Sequence, residues 1–124
     1  MARNPARKNK AKYDPAALRG WHAHIYYAPS SKKTAAKLRS AIEDNFDTRV
    51  GRWHDEAVGP HPISMYQIAF GAELFSDFVP WLALNREGLT ILLHPESTGD
   101  HLADHTEHSL WMGKVLRLNL KQFE

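Results

Sequence analysis

Two histidines stand one residue apart in the segment GWHAHIYYAP, residues 20–29, which otherwise has the apolar and aromatic composition of a buried strand. Side chains two positions apart in a strand point to the same side of a sheet. His22, His24 and Tyr26 therefore share one face of the strand, which we call the histidine face. Ala23, Ile25 and Tyr27 lie on the opposite face of the sheet, which we call the helix face because helices are expected to cover it. Paired imidazoles can hold a metal ion or transfer protons near neutral pH.

Further histidines occur in short motifs along the chain: His61 in GPHP, His94 in LLHP and His105 in ADH. The chain has no cysteine, so disulfides, thiolate metal sites and a cysteine nucleophile are excluded. We predict metal or catalytic roles for His24, His61 and His94, the prolines of GPHP aiming His61 inward. His22 is interpreted equally as a base or a ligand.

Other candidates have two interpretations each. His105 either acts in catalysis or caps a short turn beside Asp104, and Tyr26 and Trp111 either line an aromatic pocket or belong to the core. A carboxylate ligand would come from Glu96 or Asp104, the acidic residues closest to the histidine motifs. The remaining histidines are interpreted as surface residues: His54, His101 and His108.

Hydrophobic periodicity predicts the elements that position these residues. A helix begins at Ser30 or Ser31 and runs through SSKKTAAKLRSAIEDNF, and the alternating segments TRVGRWHDE and ISMYQIAF predict a hairpin. A second helix follows in AELFSDFVPWLALNREG, with Pro80 kinking it or ending its first part and Gly88 as its stop. Its expected core contacts are Phe75, Phe78, Val79, Leu82 and Leu84. TILLHP predicts a fourth strand halted by Pro95, and KVLRLNL a last strand after a polar loop and helical turn.

The order strand, helix, strand, strand, helix, strand predicts an α+β fold, the ferredoxin-like βαββαβ sandwich. We expect the first and third strands to lie side by side and parallel, with the fourth antiparallel beside the first. This arrangement would bring His22, His24, His61 and His94 to one end of the sheet. The helices would cover Ile25, Ile68, Phe70, Ile91 and Leu93, and leave the histidine face, with Gln67 and Leu92, uncovered. An uncovered apolar face needs a partner, so we predict a homodimer in which two sheets form an α/β barrel.

Charge is unevenly distributed along the 124 residues. Residues 1–20 contain six basic residues and one acidic residue, whereas the rest of the chain contains ten basic and thirteen acidic residues. We predict a basic, flexible tail over residues 1–19 and a single folded domain over 20–124. The mildly acidic body does not favour nucleic-acid binding. Because no segment has the apolar length of a membrane span or a signal peptide, a cytoplasmic protein is expected.

Four histidine-bearing blocks together resemble the DOPA 4,5-dioxygenase family over about residues 20–120: HAHIYY, GRWHDEAVGPHP, LNREGLTILLHPESTGD and ADHTEHSLWMG. Characterised fungal members of that family open the ring of a catechol amino acid by extradiol cleavage. The resemblance implies a ferredoxin-like fold, a non-haem metal centre and a catechol-type substrate. The positions that it carries over are His22, His24, His61, His94 and His105.

The chemistry of dioxygen requires residues of this kind, independently of the family resemblance. Triplet dioxygen reacts slowly with a closed-shell catechol, and a redox-active Fe(II) held by imidazoles overcomes this barrier. We predict an extradiol dioxygenase that binds a catechol and O2, with His24, His61 and His94 as metal ligands and His22 and His105 as catalytic residues. The expected cofactor is Fe(II), which zinc or nickel could replace in a crystal. The alternatives are a cofactor-free isomerase or oxygenase, and a small-molecule binding protein.

Overall fold

The computed structural model describes residues 14–97 and 99–124. Its strands are β1 (Gly20–Tyr26), β2 (Arg49–Val50), β3 (Met65–Phe70), β4 (Ile91–Glu96) and β5 (Leu110–Met112). Its α-helices are α1 (Lys32–Asn45), α2 (Phe75–Asn85) and α3 (His101–His105). Short 3-10 turns cover Pro15–Ala17, Pro29–Ser31, Ala72–Leu74 and Leu120–Phe123. None of the helices in these two ranges has the length and apolar character needed to cross a membrane.

The strands form one sheet in the order β2-β3-β1-β4-β5, and every neighbouring pair is antiparallel. The α+β class is confirmed, and the order of the first four strands is compatible with the predicted ferredoxin-like plan. The prediction that the first and third strands are parallel is wrong. The chain crosses over through α1 from β1 to β2, and the hairpin then reverses it, so β3 must run against β1.

The helix face of the sheet carries the main core, as predicted. Ile25, Ile68 and Ile91 are fully buried there, together with Phe78 and Leu82 of α2 and the α1 residues Ala35, Leu38 and Ile42. The α1 residues occur at positions i, i+3 and i+7, the spacing of a single helix face, and Ser31 is the N-cap of this helix.

Several predicted details of the second helix are wrong. Leu84 is 85% exposed, because it lies on the side of α2 that faces away from the sheet. Of the two roles predicted for Pro80, ending the first part of the helix is wrong, because the helix continues to Asn85, whereas the kink stays a prediction. Gly88 lies three residues beyond that end, in a turn where its φ of +82° favours glycine.

Three strand boundaries also differ from the predictions. The second strand is only Arg49–Val50, after which His54 makes an isolated bridge to Met65, so the hairpin has a long irregular connection. Pro95 does not halt β4, because it lies opposite Trp21 in the antiparallel register. The last strand is Leu110–Met112, whereas KVLRLNL lies outside the sheet.

The histidine face is not left uncovered, contrary to expectation. Leu116 and Leu118 of the KVLRLNL segment pack against Tyr26 and Leu92. The backbone N–H of Asn119 donates to the carbonyl of Pro60 at 2.8 Å, which ties the segment to the GPHP loop. The segment thus packs on this face instead of extending the sheet, and His24, His61 and His94 are each buried within the chain. The homodimer stays a prediction, but it is not required to bury this face.

The predicted basic tail falls mostly outside the described residues, which begin at Asp14. Asp14 caps the Pro15–Ala17 turn by accepting a hydrogen bond from the Ala16 N–H at 3.0 Å. Arg19 donates its backbone N–H to the carbonyl of Glu96 at 2.8 Å. Residues 14–19 thus lead directly into the pairing of β1 with β4.

Candidate metal centre

Antiparallel pairing places three histidines together at one end of the sheet. His22 in β1 lies directly opposite His94 in β4, and His24 follows on the same face. The Nε2 atoms of His24 and His94 are 3.0 Å apart. The two-residue alternation seen in the sequence is therefore what directs these imidazoles to a common point.

His61 and His105 reach this point from loops and a short helix. Because β3 runs against β1, His61 enters from the opposite end of β1, and its ring centroid lies 4.0 Å from that of His24. The ring of His105, at the end of α3, lies 4.0 Å from that of His94. The five residues form what we call the histidine cluster: His22, His24, His61, His94 and His105.

Two sets of three imidazoles within the cluster could each hold one metal ion. In each set, one nitrogen per residue lies within 4.8 Å of the others: His22, His24 and His94 form one set, and His24, His61 and His105 the other. The predicted ligands His24, His61 and His94 are drawn from both sets, and His24 belongs to both. The structure brings all five predicted site residues together without assigning their roles.

Burial keeps these imidazoles neutral near pH 7. Desolvation, together with the neighbouring histidines, lowers the pKa of His61 to about 4 and that of His94 to about 3. The pKa of His24 is held well below its usual value for the same reasons. Desolvation also lowers the pKa of His22 and of His105. Neutral imidazoles retain the lone pair that a metal ion requires.

Two backbone carbonyls determine which ring nitrogen carries the proton. Nδ1 of His94 lies 2.9 Å from the carbonyl oxygen of Pro95, and Nδ1 of His105 lies 2.7 Å from that of His101. Carbonyl oxygens only accept, so both Nδ1 atoms donate and both Nε2 atoms bear lone pairs. Nε2 of His24 then donates to Nε2 of His94 when no metal intervenes, which leaves the buried Nδ1 of His24 without a partner among the described residues.

Both carboxylates singled out in the sequence lie near the cluster. Oε2 of Glu96 is 3.6 Å from Nε2 of His22. Asp104 is buried and accepts a hydrogen bond from the Ser97 N–H at Oδ2, whereas its Oδ1 has no hydrogen-bond partner among the described residues. Glu96 is the better placed of the two to complete a nitrogen and oxygen ligand set with His22.

Two clefts open on different sides of the cluster. The larger, of about 700 Å³, is lined by His105, Trp111 and residues of the covering segment, including Leu116 and Leu118. The smaller, of about 280 Å³, is lined by His22 and Glu96 together with Arg19 and Arg49. The larger cleft combines apolar side chains that suit an aromatic ring, such as Trp111, with polar and charged ones, such as Arg117 and Lys121.

Two aromatic contacts were not assigned to the site from the sequence. The Tyr26 hydroxyl lies 2.6 Å from Nδ1 of His61, and the Phe123 ring centroid lies 4.7 Å from that of His105. The shared face of His24 and Tyr26 was a usable signal for the first contact, but no periodicity links Phe123 to His105. Of the presumed surface histidines, His101 is exposed, whereas His54 and His108 are half-buried.

The sheet and cluster together define an α+β protein with a potential metal-binding histidine site, and comparison with known proteins specifies the family. The model of the Dopa 4,5-dioxygenase family matches residues 21–122. The chain therefore belongs to the Dopa 4,5-dioxygenase family, which confirms the resemblance seen in the sequence.

Individual relatives agree with this membership. A crystal structure of a candidate dioxygenase from Nostoc punctiforme is 47% identical, with a TM-score of 0.86 over 89% of this chain and 95% of that one. An uncharacterised 21.2 kDa protein of Botryotinia fuckeliana is 36% identical over 83% of this chain and 63% of its own length. DOPA 4,5-dioxygenase of Amanita muscaria is 33% identical over 83% of this chain. The chain spans 49% of that protein's length, so it matches about half of the fungal enzyme.

Proposed function

We propose that this protein is an Fe(II)-dependent extradiol dioxygenase that opens the ring of a catechol with O2. Membership of the Dopa 4,5-dioxygenase family supports an oxygenase. The observation that carries the metal-dependent form is the 3.0 Å separation of the His24 and His94 Nε2 atoms. Two nitrogens at right angles around a metal, each about 2.1 Å from it, are separated by about 3.0 Å.

The distances favour His22, His24 and His94 as the ligands. His22 takes the place of the predicted ligand His61 in this set, because it forms a group of three with the close pair of His24 and His94 and lies beside Glu96. The buried Nδ1 of His24, which has no partner among the described residues, fits this assignment, since it can take up the proton when Nε2 binds a metal. Bound Fe(II) would supply the redox-active centre that makes the reaction of O2 with a closed-shell catechol possible.

His105 is the proposed general base. Its Nδ1–H is engaged by the His101 carbonyl, so its Nε2 lone pair is free to accept the proton of a catechol hydroxyl. The ring is half-buried and lines the larger cleft, where a substrate could reach it. This assignment retains the catalytic role predicted for His105.

The larger cleft is the proposed binding place of the aromatic ring. Trp111, Leu116 and Leu118 offer apolar contact area beside His105. We propose a DOPA-like catechol as the substrate class, on the basis of the name of the Amanita relative.

The test combines metal analysis with oxygen consumption. Protein purified without chelator or nickel affinity resin should contain close to one iron per chain and consume O2 with DOPA, while a yellow ring-opened product forms. Anaerobic reactions provide the control. Iron-loaded, folded protein that consumes no O2 with any catechol would refute the proposal, and metal-free protein with full activity would favour a cofactor-free oxygenase.

A further inference from the structure

Among the described residues, the contact between Tyr26 and His61 is the shortest polar contact made by the histidine cluster. The Tyr26 hydroxyl oxygen and Nδ1 of His61 are 2.6 Å apart, and the two side chains are 1% and 5% exposed. This side-chain pair lies on the histidine face but outside the ligand set proposed above.

The direction of this hydrogen bond follows from the surroundings of Tyr26. Within the described part of the chain, the hydroxyl has no other hydrogen-bond partner, so its proton can be directed only to Nδ1 of His61. A tyrosine hydroxyl, with an ordinary pKa of about 10, keeps that proton near pH 7. Nδ1 of His61 must then accept, and the neutral ring carries its own proton at Nε2.

The tautomers of His94 and His105 are opposite. His94 and His105 donate from Nδ1 to the carbonyls of Pro95 and His101 and keep bare Nε2 atoms. His61 is thus distinguished from them by its partner, a side-chain donor in place of a backbone acceptor. Within one cluster, His94 and His105 can thus accept a proton or hydrogen bond at Nε2, whereas His61 can donate one from Nε2.

Tyr26 is itself held in place. Its ring stacks on Trp111 with centroids 6.0 Å apart and an interplanar angle of 16°, and Leu92 packs beside it in the same buried group. A hydroxyl on a fixed ring can maintain the orientation of His61.

We propose that Tyr26 is a positioning residue that makes His61 a hydrogen-bond donor through Nε2, directed at an anionic oxygen of the bound substrate. This proposal rests on the proposed function, because a deprotonated catechol supplies that oxygen. A neutral, preorganised donor stabilises negative charge as it develops on oxygen and needs no reorganisation during the reaction. His61 then contributes to substrate binding and catalysis without binding the metal.

The direct test is nuclear magnetic resonance of protein with isotope-labelled histidine ring nitrogens. The expected spectrum has a bare Nδ1 and a protonated Nε2 for His61, and the reverse for His94 and His105. In Tyr26→Phe, the His61 signals should change to a mixture of tautomers. A protonated Nδ1 on His61 in the wild type would overturn the proposal.

Activity measurements provide the second test, with Tyr66→Phe as the matched control. The Tyr66 hydroxyl is also buried, but it donates to the Ala35 carbonyl on the helix face. Tyr26→Phe should keep its iron and lose about 10-fold in kcat/KM, less than the loss expected from removing a donor outright. Tyr66→Phe should lower the melting temperature and leave kcat/KM within about 2-fold. Equal kinetic losses in both variants would reduce Tyr26 to a structural residue and overturn the proposal.

His61 variants separate a donor from a ligand. His61→Gln retains an N–H donor, so it should keep wild-type iron content and exceed His61→Ala in kcat by about 10-fold. Loss of iron in His61→Gln would make His61 a ligand and overturn the proposal. If the wild type opens no catechol but shows the expected His61 tautomer, the proposed function fails while the hydrogen-bond assignment holds. If the wild type is active but His61 carries its proton at Nδ1, the proposed function holds and the hydrogen-bond assignment fails.

Discussion

The two faces of β1 are both buried, yet they are buried by different means. Ala23, Ile25 and Tyr27 contact the layer formed by α1 and α2. Tyr26 is covered by the irregular segment that contains Leu116 and Leu118, and His24 packs against His61 of the GPHP loop. Residues adjacent in sequence thus belong to two environments, one apolar and regular and the other polar and held by loops.

The helix face contributes mainly to stability, whereas the histidine face carries the polar groups that can do chemistry. Burying an aliphatic side chain contributes about 1.5–3 kcal/mol, whereas a buried polar atom without a partner costs about 1–3 kcal/mol. The histidine face contains such atoms, namely His24 Nδ1 and Asp104 Oδ1 within the described residues. The helix face therefore offsets the cost of maintaining a polar cluster on the other side of the same sheet.

The largest effect is expected from removing a ligand on the histidine face. His24→Ala should lose most of its iron, and activity should fall by more than the roughly 10- to 100-fold that loss of outer-shell support costs. Metal analysis and oxygen uptake measure the two effects together. His101→Ala, an exposed histidine outside the cluster, is the control. Full iron content in His24→Ala would exclude His24 as a ligand.

Removing the proposed base should separate metal content from rate. His105→Ala should retain iron and lose about 10² to 10⁴ in kcat, the range of general acid-base catalysis. The slope on the acidic side of the pH-rate profile should also change. The idea would be untenable if iron and activity disappeared in proportion, because His105 would then hold the metal.

A core substitution on the helix face should lower stability without changing iron content or rate. Ile25→Ala should lower the free energy of unfolding by about 2–5 kcal/mol, while the folded fraction retains iron and kcat. Urea unfolding provides the measurement. Leu84→Ala, at the exposed position of α2, should change stability by less than about 0.5 kcal/mol. A selective loss of iron in folded Ile25→Ala would contradict the separation of the two faces.

The buried histidines should make the metal-free protein sensitive to acid. The folded pKa values of about 4 for His61 and about 3 for His94 lie below the unfolded value of 6.5. The unfolded chain therefore binds protons first as the pH falls below 6.5, and stability declines through this window by up to about 1.4 kcal/mol per pH unit for each group. Urea unfolding between about pH 7 and pH 5 tests this dependence. His61→Gln should show a shallower slope, and an unchanged slope would mean that His61 does not contribute.

The smallest effect is expected from the N-terminal residues. Deleting residues 1–13, which contain five basic residues and no acidic residue, should leave the melting temperature and iron content unchanged. The composition of this segment offers few apolar groups for a core. A substantial loss of either property would show that the predicted tail contributes to the folded domain.

Local patterns predicted what depends on local spacing. Alternation placed His22, His24 and Tyr26 on one face, and helical periodicity identified Ala35, Leu38 and Ile42 as core residues. The path of KVLRLNL could not be predicted in this way, because its alternation resembles that of a strand and only tertiary contact with the GPHP loop holds it across the face. The same is true of the contact between His105 and Phe123, which lie on separate short elements.

Because strand side chains alternate between the two faces of the sheet, the pairing of His22 with His94 depends on the spacing of the histidines along β1 and β4 being kept to an even number of residues. A single-residue insertion between His24 and Tyr26 would send the residues on one side of it to the opposite side of the sheet. A two-residue insertion would preserve the side and only displace it along the strand. Natural variation in length should therefore accumulate in the connections, whereas β1 and β4 should tolerate substitutions far better than odd-numbered insertions or deletions.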